Sequence, residues 1–250
     1  DDTWGDETPE MYRHYLAMIR AVDVMTGRVL DELDRRGLAD NTIVVFASDH
    51  GTQGGAHGVH PWLKKHPYEE SIHIPGIVRY PGVIEPGSRT DALFGMPDWF
   101  PSLCSLAEVP VPQTVEGHDL SAAWLGDDVV HQDGLLLMNF SKYYDWLGDG
   151  QEWRGVRTAN ASYCEWLDGK RELFDLTEDP LQMRNLAGDP AGATMQADMA
   201  ALLREIQRTR GDELVASTTW SDWLDPQRRV VRNAFGVLPH PEAEPDWSLL

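Results

Sequence analysis

The order of apolar and polar positions predicts a helix and then a strand in the first fifty residues. Residues 9–36 keep helical spacing, and Thr8 and Pro9 suit the N-cap and the first helical position. Residues 42–47 form an apolar run rich in β-branched side chains, which is typical of a strand buried on both faces of a parallel sheet. The apolar positions of the helix are Tyr12, Leu16, Ile19, Val22, Val29, Leu30 and Leu33.

The later part of the chain changes character. Short apolar runs alternate with turn residues, and Asp168-Gly169 is a hairpin signal. A helical stripe follows them, so we expect a small antiparallel sheet with a packed helix. The expected strands cover residues 72–80, 134–140, 156–159, 163–167 and 172–175, and the expected helices cover residues 195–210 and 98–108, the latter with Phe100, Leu103 and Leu106 inward.

Composition and charge exclude several classes of partner. The 250 residues carry 41 Asp and Glu against 21 Lys and Arg, a net charge of −20. Such a field repels nucleic acids and anionic membranes, and no apolar run approaches the ~18 residues of a membrane span. Cys104 and Cys164 cannot form a disulfide framework, so the compartment stays open. An anionic substrate would need a local cationic site.

The sharpest candidate chemistry is Asp49-His50, which ends the predicted buried strand. Ligands of open α/β sheets lie outside the carboxyl ends of the strands. A carboxylate there suits Ca²⁺ or Mg²⁺, whereas an imidazole suits Zn²⁺ or Mn²⁺ better. The alternative is that Asp49 caps the turn and that His50 is only a polar neighbour.

The loop after this pair adds a cationic cluster. It contains His57, His60, Lys64, Lys65 and His66, which would form a positive pocket for a sulfate or phosphate oxyanion. The alternative is a solvated loop, which we prefer for His60 and His66. Motifs for a serine-hydrolase elbow, a P-loop or a dinucleotide-binding turn are absent from the sequence.

Five blocks in order make the chain similar to the C-terminal half of the type I sulfatases, within the alkaline phosphatase superfamily. Together they cover about residues 12–187. The blocks are GLADNTIVVFASDHG at 37–51, GAHG at 55–58, Lys64 with PYEES at 67–71 and IPGIVRYPG at 74–82, PDWFPSL at 97–103 with VPVP at 109–112 and GHDL at 117–120, and VRT at 156–158 with ELFDL at 172–176, DP at 179–180 and NLA at 185–187.

The resemblance implies a role for each matching residue. Asp49 and His50 match the second pair of ligands of the active-site divalent cation, most often Ca²⁺, with Mn²⁺, Mg²⁺ or Zn²⁺ as alternatives. Lys64 matches the catalytic lysine that binds the sulfate oxygens, and Lys65 is a second choice for it. His57 matches a histidine at the pocket edge that contacts the substrate, so Lys64 and His57 are the expected catalytic residues.

The resemblance also implies a fold and a domain order. We expect the C-terminal part of an alkaline-phosphatase-like α/β fold, a mostly parallel sheet between helices, plus a small α+β subdomain. Residues 1–150 would belong to the catalytic domain, residues 151–225 to the subdomain, and residues 226–250 to an extended tail.

One departure from the family pattern is large. The formylglycine nucleophile is made from Cys or Ser in a C/S-x-P-x-R motif, and these 250 residues lack that motif. The first pair of metal aspartates is missing too, and the first residue is Asp1 rather than Met. We therefore expect a piece of a longer sulfuric ester hydrolase, inactive alone, whose N-terminal half is its partner.

Two alternatives stay open. Asp-His at the metal also fits the phosphonate monoester hydrolases and phosphodiesterases of the same superfamily, which would take phosphate or phosphonate esters. The third reading is a non-catalytic module derived from the fold. The missing nucleophile region would discriminate between them.

Overall fold

The computed structural model of this chain describes residues 8–127, 132–140, 151–217, 232–233 and 236–237. The chain divides into two compact units. The first consists of Asp1–Val109 and Gly117–His131, and the second of Pro110–Glu116 and Gln132–Leu250. Within the described residues, no helix combines the length and the apolar character that a membrane crossing requires.

The first unit begins with the predicted long helix. This helix ends where Gly37 takes φ +65°, and the N–H of Leu38 donates to the Leu33 carbonyl at 2.9 Å, a closing contact that a left-handed glycine allows. The described elements of the unit are helices α1 (Thr8–Arg36), α2 (Glu69–Ile72), α3 (Trp99–Leu106) and α4 (Ser121–Trp124) and strands β1 (Val44–Ala47) and β2 (Gly76–Arg79).

The apolar stripe of α1 is exposed in the described part of the chain. Leu16 is 60% exposed and Val29 is 59% exposed, although the spacing predicts that both face a core. A helix of this length with an uncovered apolar stripe lacks the packing that normally stabilises a surface helix. The prediction of the helix is therefore confirmed, whereas Leu16 and Val29 of its apolar face are not buried by the described residues.

Strand β1 has a different environment from the one predicted. Among the described residues it pairs only with β2, and the pairing is antiparallel, with Val45 opposite Val78. Its residues alternate between half-buried and exposed, so the predicted burial on both faces is wrong for this chain. An apolar run indicates that both faces of a strand can be buried, but it does not indicate which other segments are present to cover those faces.

A buried carboxylate organises the segment before α3. Asp98 is 2% exposed and accepts hydrogen bonds from the backbone N–H of Gly95, at 2.7 Å, and of His118, at 2.8 Å. These bonds satisfy backbone donors that would otherwise lack partners. The helix is confirmed, but Phe100 is 53% exposed and not inward as predicted, because the buried face presents Pro101 and Ser102 instead.

The second unit contains the predicted antiparallel sheet with its helix. The four strands are hydrogen-bonded in chain order, and the helix lies against their Val156 face. The elements are β3 (Leu135–Asn139), β4 (Trp153–Arg157), β5 (Ala161–Trp166), β6 (Arg171–Asp175) and α5 (Ala193–Arg210), followed by the short pair β7 (Arg232–Asn233) and β8 (Gly236–Val237). The core residues are Val156, Ala161, Tyr163, Leu173, Met199, Ala200 and Leu203.

The hairpin between β5 and β6 follows the predicted turn chemistry. Gly169 adopts φ +91°, and Asp168 accepts a hydrogen bond from the N–H of Lys170 at 2.9 Å. The boundary predicted at residue 150 lies outside the described residues, as does most of the predicted tail at 226–250, so the division into domains stays a prediction.

Candidate functional site

The two predicted metal ligands follow β1 directly. The Asp49 side chain is 79% exposed, and the His50 side chain is 39% exposed. The Ser48 hydroxyl donates to the His50 carbonyl at 2.7 Å, and Gly51 N–H donates to the Ser71 carbonyl at 2.8 Å. These bonds hold the backbone on both sides of the pair.

The His50 ring is oriented by the backbone of the next residue. Nδ1 lies 2.8 Å from the Gly51 carbonyl oxygen, which can only accept, so the proton is on Nδ1. Nε2 lies 3.2 Å from Asp49 Oδ2. Two electron-pair donors side by side, one oriented by a carbonyl, form the kind of donor set that a divalent cation bridges.

The surroundings of Asp49 favour the ionised form of its carboxyl group. The hydrogen bond from the backbone N–H of His50, 2.9 Å from Oδ1, is the main cause of a lowered pKa for this carboxyl group. The positive charge of Lys64 lowers the pKa of Asp49 further. The structure therefore brings Lys64 into electrostatic range of the predicted metal ligands.

Lys64 reaches this position because the loop folds back on itself. Gln53 N–H donates to the Leu63 carbonyl at 2.8 Å, and Gly54 N–H donates to the Pro61 carbonyl at 2.9 Å. These two bonds place the residue after Leu63 opposite the start of the loop. Within the described residues the Lys64 ammonium is exposed and has no hydrogen bond or ion pair, so it can bind an external anion.

The glycine after His50 is required by a close approach. A Cβ on Gly51 would lie 1.9 Å from the carbonyl oxygen of Glu70, a distance that real Cβ atoms do not show. Any side chain here would push the loop away from α2 and move His50. The glycine therefore contributes to the geometry of the candidate metal ligands.

His57 is held from two sides. Its ring stacks on Tyr68 with centroids 3.8 Å apart and an interplanar angle of 15°. Nε2 lies 3.4 Å from Glu70 Oε2, and the side chain is only 10% exposed. The backbone takes φ +56°, an uncommon value for a non-glycine residue that the surrounding contacts must maintain.

The other predicted cationic side chains of the loop are half-buried rather than fully solvated. His60 Nδ1 accepts a hydrogen bond from Trp62 N–H at 3.3 Å, and the His66 ring lies 5.8 Å from Tyr68 with an interplanar angle of 12°. Both contacts are local to the loop, and the half-burial of the two rings differs from the solvated loop that the sequence favours for them. Lys65 is also half-buried, so the exposed Lys64 is the better candidate for anion binding.

Sequence reasoning assigned no role to the residues behind His57. Glu70 and Ser71 belong to the PYEES block, but the block does not reveal that Glu70 faces His57. Gln53 is 1% exposed, and its side-chain amide donates to the Ser71 hydroxyl at 2.5 Å. No periodicity marks this glutamine, because it lies in an irregular loop whose burial depends on the fold.

The described residues supply only part of a metal site. No group of three or more His, Cys, Asp and Glu side chains within them is arranged to hold a metal ion. Asp49 and His50 offer one carboxylate and one imidazole, and Lys64 offers a positive charge beside them. This arrangement can bind the oxygen atoms of an anionic group, and it needs further ligands for a complete cation site.

Comparison with known proteins finds that this chain is similar to sulfatases. The family model described as sulfatase matches residues 1–109. The chain is 35% identical over 205 residues to an ulvan-active sulfatase of Formosa agariphila, a match that covers 82% of this chain and 40% of that protein. The chain thus spans well under half the length of this curated relative.

Two solved structures are similar along most of the chain. One of them was solved in complex with its substrate D-glucosamine-2-N,6-O-disulfate. It matches this chain with a TM-score of 0.69 and 30% identity, and the match covers 78% of this chain and 40% of the other. The other is a phosphonate monoester hydrolase from Silicibacter pomeroyi, with a TM-score of 0.64 and 30% identity, covering 76% of this chain and 38% of that one. The mixed α/β fold class expected from the sequence is confirmed by these neighbours.

Proposed function

The chain belongs to the sulfatase family and aligns with the C-terminal part of its members, and from this premise we propose that it is the C-terminal portion of a sulfuric ester hydrolase. The observation that carries the proposal is the proximity of three groups. Asp49 and His50 present adjacent donors, and the charge of Lys64 acts on Asp49. In a chain with a net charge of −20, a local site for an anion has to be built from such groups.

Asp49 and His50 would hold a divalent cation, with Ca²⁺ as the first choice. The donor set supports this assignment, since the Gly51 carbonyl lies 2.8 Å from Nδ1 and orients the ring so that Nε2 is beside the Asp49 carboxylate. An imidazole ligand also keeps Mn²⁺, Mg²⁺ and Zn²⁺ as alternatives. When bound, the cation supplies positive charge to the oxygen atoms of the sulfate group.

Lys64 would bind the sulfate oxygens directly. Its ammonium is exposed and without an ion pair in the described residues, so substrate binding would not have to break an existing contact. The charge of Lys64 would neutralise part of the negative charge that the transition state spreads over the oxygens. Lys65, which is half-buried, remains the second choice.

His57 would contact the substrate at the edge of the pocket. Nε2 faces Glu70, so the other ring nitrogen, Nδ1, is the one available to the ester. Stacking on Tyr68 fixes the plane of the ring. A ring held in this way can donate a hydrogen bond to an ester oxygen without losing much conformational freedom on binding.

The nucleophile would come from a part of the enzyme outside these 250 residues. Formylglycine supplies the attacking group in the family that the chain resembles, and its C/S-x-P-x-R motif is absent here. We therefore propose that this chain alone is inactive. The exposed stripe of α1 supports this proposal, because an N-terminal half packed on Leu16 and Val29 would bury a surface that is otherwise costly to expose.

A second candidate function is the hydrolysis of phosphonate monoesters or phosphodiesters. It is favoured by the similarity to the phosphonate monoester hydrolase of Silicibacter pomeroyi at 30% identity. The third hypothesis is a non-catalytic module. It would give no function to the exposed Lys64 and the oriented His50.

The deciding experiment compares esters in the complete protein that carries this chain. We expect turnover of 4-nitrophenyl sulfate to exceed turnover of a phenylphosphonate monoester, and Lys64→Ala to reduce both activities. Arg89→Ala, at an exposed loop position, is the matched charge-removal control. A preference for the phosphonate would favour the second candidate, and no turnover of either ester would favour the module.

A further inference from the structure

The second unit contains a surface groove that the proposed catalytic site does not use. Its volume is about 420 Å³, and it lies between the exposed ends of β5 and β6 and the first turns of α5. All of its lining residues belong to the second unit. The polar side chains in its lining are Tyr163, Glu165, Arg171, Asp189, Gln196 and Arg204.

On the sheet side of the groove, the carboxylate among the lining residues is Glu165, and this carboxylate is already paired. The Tyr163 hydroxyl donates to Glu165 Oε1 at 2.5 Å, and Arg171 Nε lies 3.7 Å from the same oxygen. Glu165 is thus occupied by a donor and by a cation at once. Its negative charge offsets no more than one of the two arginines of the groove.

The second carboxylate is also engaged. Asp189 accepts hydrogen bonds from the N–H of Ala191, at 2.9 Å, and from Arg184, at 3.1 Å. The Ala191 bond is the main cause of its lowered pKa, so the carboxylate is ionised and paired outside the groove. Its two hydrogen-bond partners lie outside the lining, although Asp189 itself belongs to the lining and adds a negative charge there.

Arg204 is an arginine of the groove that has no ion pair among the described residues. Its side chain is exposed on α5, and among the described residues it makes no hydrogen bond and no ion pair. Burial raises the pKa of the Tyr163 phenol, and the charges of both Arg171 and Arg204 oppose that rise. Both guanidinium groups therefore act electrostatically on the Tyr163 hydroxyl, which belongs to the cavity wall.

Gln196 adds a neutral donor. Its Oε1 accepts a hydrogen bond from the N–H of Gly188 at 2.9 Å, which fixes the orientation of the amide. The amide NH₂ is left to donate into the groove. Two arginines and one oriented amide form a donor set that matches the oxygens of a sulfate or carboxylate group.

We propose that this groove binds an oxyanion, a sulfate ester or a carboxylate, through Arg171, Arg204 and the amide of Gln196. The chain as a whole carries a charge of −20, so a guanidinium without an ion pair among the described residues, such as Arg204, is a local point of attraction for an anion. The inference stands on the second unit alone and does not rest on the proposed hydrolysis.

Selenate, an anomalous scatterer with the shape of sulfate, tests the proposal by location. Crystals of the complete protein soaked in selenate are expected to show an anomalous peak beside Arg204. Arg204→Gln should remove that peak, whereas Arg208→Gln, a 73% exposed arginine of the same helix that pairs with Glu205, should retain it. A wild-type map without the peak, or a peak that survives Arg204→Gln, would overturn the proposal.

Calorimetry in solution completes the test, with sodium sulfate and sodium glucuronate as separate ligands. A Lys64→Ala background weakens the proposed catalytic site, so the remaining binding reports on the groove. We expect Arg204→Gln to weaken this binding about tenfold, equivalent to 1.4 kcal/mol. Tighter binding of sulfate identifies a sulfate ester as the ligand, tighter binding of glucuronate identifies a carboxylate, and binding of neither contradicts the proposal.

Discussion

His57 and Glu70 form a pair behind the candidate site, with Nε2 of the imidazole 3.4 Å from Oε2 of the carboxylate. Glu70 Oε2 is buried and has no hydrogen bond among the described residues, so the contact is an ion-pair approach rather than an aligned bond. Such contacts often tighten when a substrate binds. We therefore propose that Glu70 is a positioning residue, which would act on a substrate through His57.

Replacement of Glu70 by Gln tests this role. In the complete enzyme we expect Glu70→Gln to lower kcat about tenfold, or 1.4 kcal/mol of transition-state stabilisation, with little change in KM. The pH profile of kcat should change as well, because the substitution removes a carboxylate 3.4 Å from the imidazole. Glu85→Gln, on an exposed loop, is the control. An unchanged pH profile with a uniform loss of protein stability would indicate a structural role only.

Lys64→Ala should lower kcat/KM for an aryl sulfate by about 10²–10³, the effect of losing one charge-stabilising donor. The reason is that Lys64 is exposed, unpaired in the described residues and close enough to affect the pKa of Asp49. Steady-state kinetics with Lys65→Ala in parallel gives the comparison. If Lys65→Ala has the larger effect, then the anion-binding lysine is Lys65.

Calcium binding to this 250-residue chain should be weak, with a Kd of about 10⁻⁴ M or higher, because only two ligands are close together. Isothermal calorimetry measures this affinity directly. His50→Ala should abolish the binding that remains. A submicromolar Kd would show that the chain holds a complete site, and that the expectation of further ligands elsewhere is mistaken.

Alkaline conditions should destabilise the second unit through Tyr163. Burial, and then the neighbouring Glu165, raise the pKa of this phenol above its ordinary value, so the folded state keeps the proton longer than the unfolded chain. The stabilisation is complete below the unfolded pKa near 10 and is lost as the pH rises above it.

The free energy of unfolding should therefore fall by up to about 1.4 kcal/mol per pH unit above pH 10. Urea unfolding at several pH values measures the slope, and Tyr163→Phe should reduce it. Tyr80→Phe, in the first unit, is the matched control. Equal slopes in the wild type and in Tyr163→Phe would contradict the assignment.

Periodicity alone located the main elements. Helical spacing predicted α1, and the β-branched run predicted β1, because each depends on the short-range geometry of the backbone. The turn residues Asp168-Gly169 predicted the β5–β6 hairpin for the same reason, since a glycine at φ +91° is a local requirement. The family motifs added the expected roles of Asp49, His50 and Lys64.

Tertiary structure decided the features that depend on distant segments. The antiparallel pairing of β1 with β2 and the exposure of Leu16 follow from which segments lie alongside, and a local pattern does not encode that. The same holds for the Glu70 carboxylate behind His57, since the two residues are 13 positions apart along the chain. The sequence by itself determined the helices and strands and the residue types that could bind a metal ion or an anion. Only the fold determined which of those residues meet, because contacts between segments depend on how the whole chain packs.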